Sequence, residues 1–182
     1  MNFNYKEEQQ QFADALKRWI GRDYGFEQRR AIVASEQGVS DEAWATLAEL
    51  GMTALPVPEQ QGGFDGGAVD LFVVMRELGR GLVVEPYFAT VLGAHFLKLG
   101  GKHADLLEKV AAGELKLACA LGERQSRHEL RDIATRAQAT GEGWRLSGEK
   151  KAVIHGAEAD VLVVSARSSG AQCEEAGISL FA

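Results

Sequence analysis

Apolar positions change their period once along this chain. Before Gly113 they recur at helical spacing; after it they fall in short β-type runs. One change of period predicts two units, 1–113 and 114–182. In the first unit, Asn4 followed by Glu7 reads as a capping box. Phe12, Leu16, Trp19 and Ile20 then share one face of a helix that should end near Gly21. Phe26 to Ala34 makes a short second helix. Ser40 is the N-cap of a third, with Asp41 and Glu42 favourable against its dipole. Trp44, Leu47 and Leu50 form its buried stripe, and Gly51 is its stop. Ala54 to Gly67 carries two prolines and four glycines and reads as a loop of fixed shape. Val69 to Leu82 is apolar around most of its circumference, which predicts a helix in the centre of a bundle. Pro86 suits the first position of the next helix, whose apolar face is Phe88, Val91, Leu92, Phe96 and Leu97. His103 to Ala112 is a last short helix, ended by Gly113.

The second unit opens with a strand over Lys116 to Leu121. Asp132 to Thr140 and Trp144 to Ser147 form a hairpin around Gly141-Glu142-Gly143. Lys151 to Ile154 follows a turn at Ser147-Gly148-Glu149. Val161 to Val164 is apolar at four successive positions and should be covered on both faces. A polar loop from Arg167 to Gly177 leads to Ile178-Ser179-Leu180-Phe181-Ala182. A strand that stops without turn or cap leaves an unpaired edge, so the sequence reads as cut there.

Net charge is 20 minus 26, or −6, which argues against a nucleic-acid or anionic-membrane partner. No run approaches transmembrane length, and the N-terminus lacks the order of a secretory signal. Cys119 and Cys173 form no pattern, which favours a reduced, cytoplasmic setting. The four histidines show no metal-ligand spacing. No nucleophile elbow or dinucleotide fingerprint is present. Glu149-Lys150 at a turn reads as a solvent-exposed pair. Arg124, Arg127, His128 and Arg131 cluster after a strand; they read either as a solvated loop or as an anion site, since guanidinium suits pyrophosphate.

Leu117-Ala118-Cys119-Ala120-Leu121-Gly122-Glu123, then Gly143 to Lys150, then Ala159 to Val164, follow a helical bundle. This order resembles the acyl-CoA dehydrogenase family, as does Leu50-Gly51 with Pro58 to Gly63. Arg80 to Tyr87, Gln125-Ser126-Arg127 and Ile154-His155-Gly156 look closest to the small subunit of pimeloyl-CoA dehydrogenase-type enzymes. The resemblance implies an α+β fold: an N-terminal all-α bundle, then the first part of a β-barrel domain, with the family's C-terminal helical domain absent. It implies FAD as cofactor, an acyl-CoA oxidised to the 2,3-enoyl-CoA, and electron-transfer flavoprotein as acceptor. It also implies an oligomer with another acyl-CoA dehydrogenase subunit.

Carried over by position, the resemblance places Leu121, Gly122, Ser126, Arg127, Ala152, Val153 and Ile154 at the flavin and His128 at the substrate. Gly122 stands where the family often has Thr, Arg124 where it has Pro, and Arg127-His128-Glu129 where it has Gly-Ser-Asp. Ala152-Val153-Ile154 replaces the common Trp-Ile-Thr. The family's base usually sits in its C-terminal helical domain, so no residue here is assigned as catalytic base. Two other classes fit the same fold: a non-catalytic subunit completing a partner's site, and a flavin oxidase or monooxygenase.

Overall fold

The computed structural model describes residues 4–182. Helix α1 (Glu7–Asp23) runs two residues past the expected stop. Its cap is also shifted: the Gln9 side chain accepts from Lys6 N–H at 2.9 Å, so Lys6 rather than Asn4 is the N-cap. Helices α2 (Phe26–Ala34) and α3 (Asp41–Glu49) form where the pattern put them, and the Ser40 hydroxyl accepts from Ala43 N–H at 3.2 Å. The loop after α3 holds its shape through close backbone contacts. Gly63 can carry no side chain, because a Cβ there would lie 1.9 Å from the Val57 carbonyl oxygen.

Helix α4 (Ala68–Arg80) corrects one expectation. Val73, Val74 and Leu78 are buried, but Val69 and Phe72 are 54% and 57% exposed. Its apolar circumference is therefore covered on one side by the described residues. Leu82 lies beyond the helix, with φ 51°. Pro86 is the N-cap of α5 (Tyr87–Gly100), one position earlier than predicted, and Phe88 faces solvent. Helix α6 (Ala104–Ala111) completes the helical part, with Gly113 left-handed after it. Leu16, Trp19, Trp44, Leu47, Met52 and Val74 are among the residues of its core. Tyr24 O–H donates to the buried Glu85 carboxylate at 2.7 Å, tying the end of α1 to the start of α5.

The sheet follows as β1 (Leu117–Ala120), β2 (Arg136–Thr140), β3 (Gly143–Ser147), β4 (Val161–Arg167) and β5 (Ile178–Phe181). β4 is its axis: β1 lies parallel to it, β5 antiparallel, and β2 meets it in parallel at Arg136–Arg167. β2 and β3 form the expected hairpin, but β2 starts at Arg136, four residues later than predicted. Residues 151–154 make no strand. Leu162 on β4 is 39% exposed, so the apolar run is not covered on both faces here.

Helix α5 joins the two parts. Ala94 and Leu97 pack with Leu117 and Val163 in a second core cluster. The buried Thr90 hydroxyl accepts from Leu117 N–H at 3.1 Å, and Trp44 Nε1–H donates to the Gly113 carbonyl at 2.8 Å. The start of β1 is thus fixed against the bundle by both apolar burial and directed hydrogen bonds. That anchoring determines where the chain emerges at Leu121.

Candidate functional site

At the end of β1 the chain leaves an apolar run and places Glu123 in the interior. Its side chain is 3% exposed, and that of Lys150 is 9%. Lys150 Nζ donates to Glu123 Oε1 at 2.7 Å and to Ser165 Oγ at 2.9 Å, and it reaches the Leu121 carbonyl at 3.3 Å. Thr135 N–H donates to Glu123 Oε1 at 3.1 Å; Ala134 N–H donates to Oε2 at 2.7 Å, as does Gln125 Nε2 at 2.8 Å. Burial alone would push the carboxyl up. The bonds from Lys150, Thr135, Gln125 and Ala134 outweigh it and hold the group at about 2. Such a carboxylate is a poor proton acceptor, so Glu123 is a structural anion rather than a base.

This corrects the reading of Glu149-Lys150 as an exposed pair. Glu149 is exposed and meets Lys151 at 3.2 Å, whereas Lys150 turns inward to Glu123. The sequence carries one local signal, Glu123 following the apolar run of β1; the constraint on Gly148, two residues before Lys150, is visible in the packing. A Cβ on Gly148 would lie 2.4 Å from Thr135 Oγ1 and 2.7 Å from Thr135 Cα. Gly148 lets the turn press on Thr135, which aims Lys150 at the carboxylate. Neither Ser165 nor Thr135 stood out in the sequence.

The pair holds two predicted segments side by side. Lys151 N–H donates to the Gly122 carbonyl at 2.9 Å, so Leu121-Gly122 and the chain entering Ala152-Val153-Ile154 are adjacent. Ile154 is 60% exposed and Val153 is half-buried. Ala152, His155 and Arg127 all adopt left-handed backbone, at φ 53°, 55° and 48°. Asp65, Leu82 and His103 do the same elsewhere in the chain, so this backbone shape is shared with other turns. His155 Nδ1 also lies 3.5 Å from Glu158.

The 124–131 segment separates. The Ser126 hydroxyl accepts from Glu123 N–H and donates to the Glu123 carbonyl, both at 3.0 Å, so it closes a turn and is not turned outward. Arg124, Arg127 and His128 are exposed, and among the described residues no carboxylate lies within 4.0 Å of them. Arg131 is paired with Glu129 at 3.3 Å and Glu175 at 3.5 Å. The guanidinium groups of Arg124 and Arg127 therefore face outward beside His128 without a carboxylate near them among the described residues. A groove of about 700 Å³ lies elsewhere, between α1, the end of α3 and the Gly63–Gly66 loop. Among the described residues no cluster of His, Cys, Asp and Glu could hold a metal ion.

The rim suits a flavin in kind. The exposed Ile154 and half-buried Val153 side chains would suit a flat ring, and the exposed Arg124 and Arg127 a diphosphate. Gly122 and Ile154, which stand where the resemblance expects Thr, offer no hydroxyl, and Ala152 offers no aromatic cover, which leaves backbone groups for the polar contacts.

Comparison with known proteins agrees over the whole chain. The description "Acyl-CoA dehydrogenase, N-terminal domain" matches residues 6–114, and "Acyl-CoA dehydrogenase, middle domain" matches residues 118–182. The (2S)-methylsuccinyl-CoA dehydrogenase of Cereibacter sphaeroides is 31% identical over 140 residues, 74% of this chain and 26% of that protein. The acyl-CoA dehydrogenase FadE12 of Mycobacterium tuberculosis is 27% identical over 185 residues, 99% of this chain and 47% of its own length. Among solved structures, a variant of the Tcur3481-Tcur3483 steroid ACAD superposes with TM-score 0.85 at 29% identity, covering 96% of this chain and 47% of that one. The ChsE4-ChsE5 complex from Mycobacterium tuberculosis superposes with TM-score 0.82 at 25% identity, covering 100% and 48%. The chain spans about half the length of FadE12 and of both solved chains. It belongs to the acyl-CoA dehydrogenase family.

Proposed function

We propose that this chain forms part of an FAD-dependent acyl-CoA dehydrogenase that converts an acyl-CoA thioester to the 2,3-enoyl-CoA. The observation that carries the reading is the buried Glu123–Lys150 pair, which sets Leu121-Gly122 beside Ala152-Val153-Ile154. Bound FAD would supply the acceptor for the hydride leaving the β-carbon. This chain's residues would hold and orient it: Val153 and Ile154 as apolar cover, and the backbone of Leu121, Gly122 and Ser126 as the polar edge. Arg127 would meet the diphosphate, and His128 the acyl-CoA. Electron-transfer flavoprotein is the proposed acceptor. No base is assigned, since Glu123 is committed to Lys150. Anaerobic addition of acyl-CoA should bleach the flavin of the intact assembly; no bleaching with short, long or dicarboxylic thioesters would sink the reading.

A second reading is favoured by the side chains at the rim. Gly122, His128 and Ala152 depart from the family's common pattern, and a similar solved structure is a two-component complex. On this reading the chain is a non-catalytic subunit that completes a partner's flavin site. Flavin stoichiometry separates the two: one FAD for each copy of this chain favours the first, and one for each pair of unlike subunits the second.

A further inference from the structure

Arg167 ends β4 and is buried at 1% exposure. Its acceptors among the described residues are all backbone carbonyls. Nη2 donates to Arg131, Gln172 and Glu174 at 2.8, 2.7 and 2.9 Å. Nη1 donates to Ala176 at 3.0 Å and Ser169 at 3.5 Å, and Nε to Ile133 at 3.4 Å. Burying a guanidinium is costly unless its fixed fork of donors is filled, and six carbonyls fill it here. These carbonyls come from two separate stretches, 131–133 and 169–176. Ile133 N–H donates to the Gln172 carbonyl at 3.1 Å and Gln172 Nε2 to Asp132 Oδ1 at 2.6 Å, so the stretches also hold each other.

The clamped stretch runs directly into the Glu123 site. Ile133 gives its carbonyl to Arg167, and the next two residues, Ala134 and Thr135, give their N–H groups to Glu123. Arg167 N–H also donates to the Thr135 carbonyl at 2.8 Å. Arg167 touches Thr135 and Ile133 from one side while Glu123 takes the amides from the other. We infer that Arg167 is a positioning residue: by clamping 131–133 to the 168–177 loop it fixes the two amides that hold Glu123 against Lys150, and through them the cofactor rim. The last step rests on the flavin reading proposed above; the coupling to Glu123 does not.

Arg167→Met and Arg167→Lys test this in the full chain by NMR, through amide exchange and titration of the Glu123 carboxyl. In the Met variant the Ala134 and Thr135 amides should exchange about tenfold faster or more, while the amides of α5 keep their rates. The Glu123 midpoint should rise by about one unit as its donors loosen. Lysine keeps the charge but not the fork, and should fall between wild type and Met; it carries the test if the Met variant does not fold. Unchanged exchange and midpoint in a folded variant overturn the inference. FAD affinity of the same samples, with any partner present, tests the last step: about tenfold weaker binding is expected. Glu123 moving with FAD affinity unchanged overturns the rim role. A wild-type assembly that binds no FAD overturns the flavin reading, whereas the titration still decides the clamp.

Discussion

Lys150 Nζ and Glu123 Oε1 lie 2.7 Å apart across 27 residues of chain, both buried, and they join the end of β1 to the turn after β3. Removing one partner strands the other without solvent. Lys150→Met should therefore cost about 3–5 kcal/mol of folding stability. The double variant Lys150→Met with Glu123→Gln should cost less than the two singles together, because it leaves no unpaired charge. Urea unfolding of the three variants checks both statements.

Stability should fall with acid in a defined window. The folded Glu123 carboxyl titrates at about 2, below its unfolded value of about 4.3. A depressed carboxyl stabilises fully above its unfolded value, and that stabilisation is lost as pH falls through the folded one. The full contribution is about 3 kcal/mol, of which about 2.4 kcal/mol is lost between pH 4.5 and 2. Glu123→Gln removes this contribution, so its urea midpoint should change less than wild type's across the same range. Equal slopes would show that other carboxyls carry the acid sensitivity.

Much of the fold was legible because its signals are local. Ser40 caps α3 and the Gly141–Glu142 turn closes the β2–β3 hairpin, each through chemistry contained within a few residues. Resemblance of Leu117 to Glu123 and Gly143 to Lys150 drew two segments into view, and the Lys151–Gly122 bond shows that their ends are adjacent. What the sequence concealed is set by distant partners. Lys150 is buried because Glu123 and Ser165 receive it, and nothing beside it in the chain says so. Arg167 reads as the start of a polar loop, yet it is buried among carbonyls from two loops. The α4 face fails differently: its apolar pattern is real, but no element among the described residues covers Phe72.

The two thiols should react very differently. Burial pushes the Cys119 thiol up to about 11, and it sits in β1 against α5, whereas Cys173 is exposed. The thiolate is the reacting species, so native protein at pH 8 should take up one alkyl group rapidly, at Cys173. Peptide mass spectrometry locates it. Rapid labelling of Cys119 would mean that β1 leaves α5 readily.

Gly148 and Thr135 give a packing prediction. Gly148→Ala drives a Cβ into Thr135 and should destabilise by about 1–3 kcal/mol. The buried Thr135 Oγ1 has no hydrogen-bond partner among the described residues. Thr135→Val keeps the shape and removes that hydroxyl, so it should be neutral or stabilising. Thermal melts of the two variants should therefore move apart.

The central claim, that the seam of Leu121-Gly122 with Ala152-Val153-Ile154 carries the flavin, is tested most directly by hydrogen exchange of the intact assembly with and without FAD. Protection on saturation is expected at 121–127 and 152–155, with the Gly63–Gly66 loop unchanged. Saturable FAD binding that leaves both segments of this chain unprotected would contradict it.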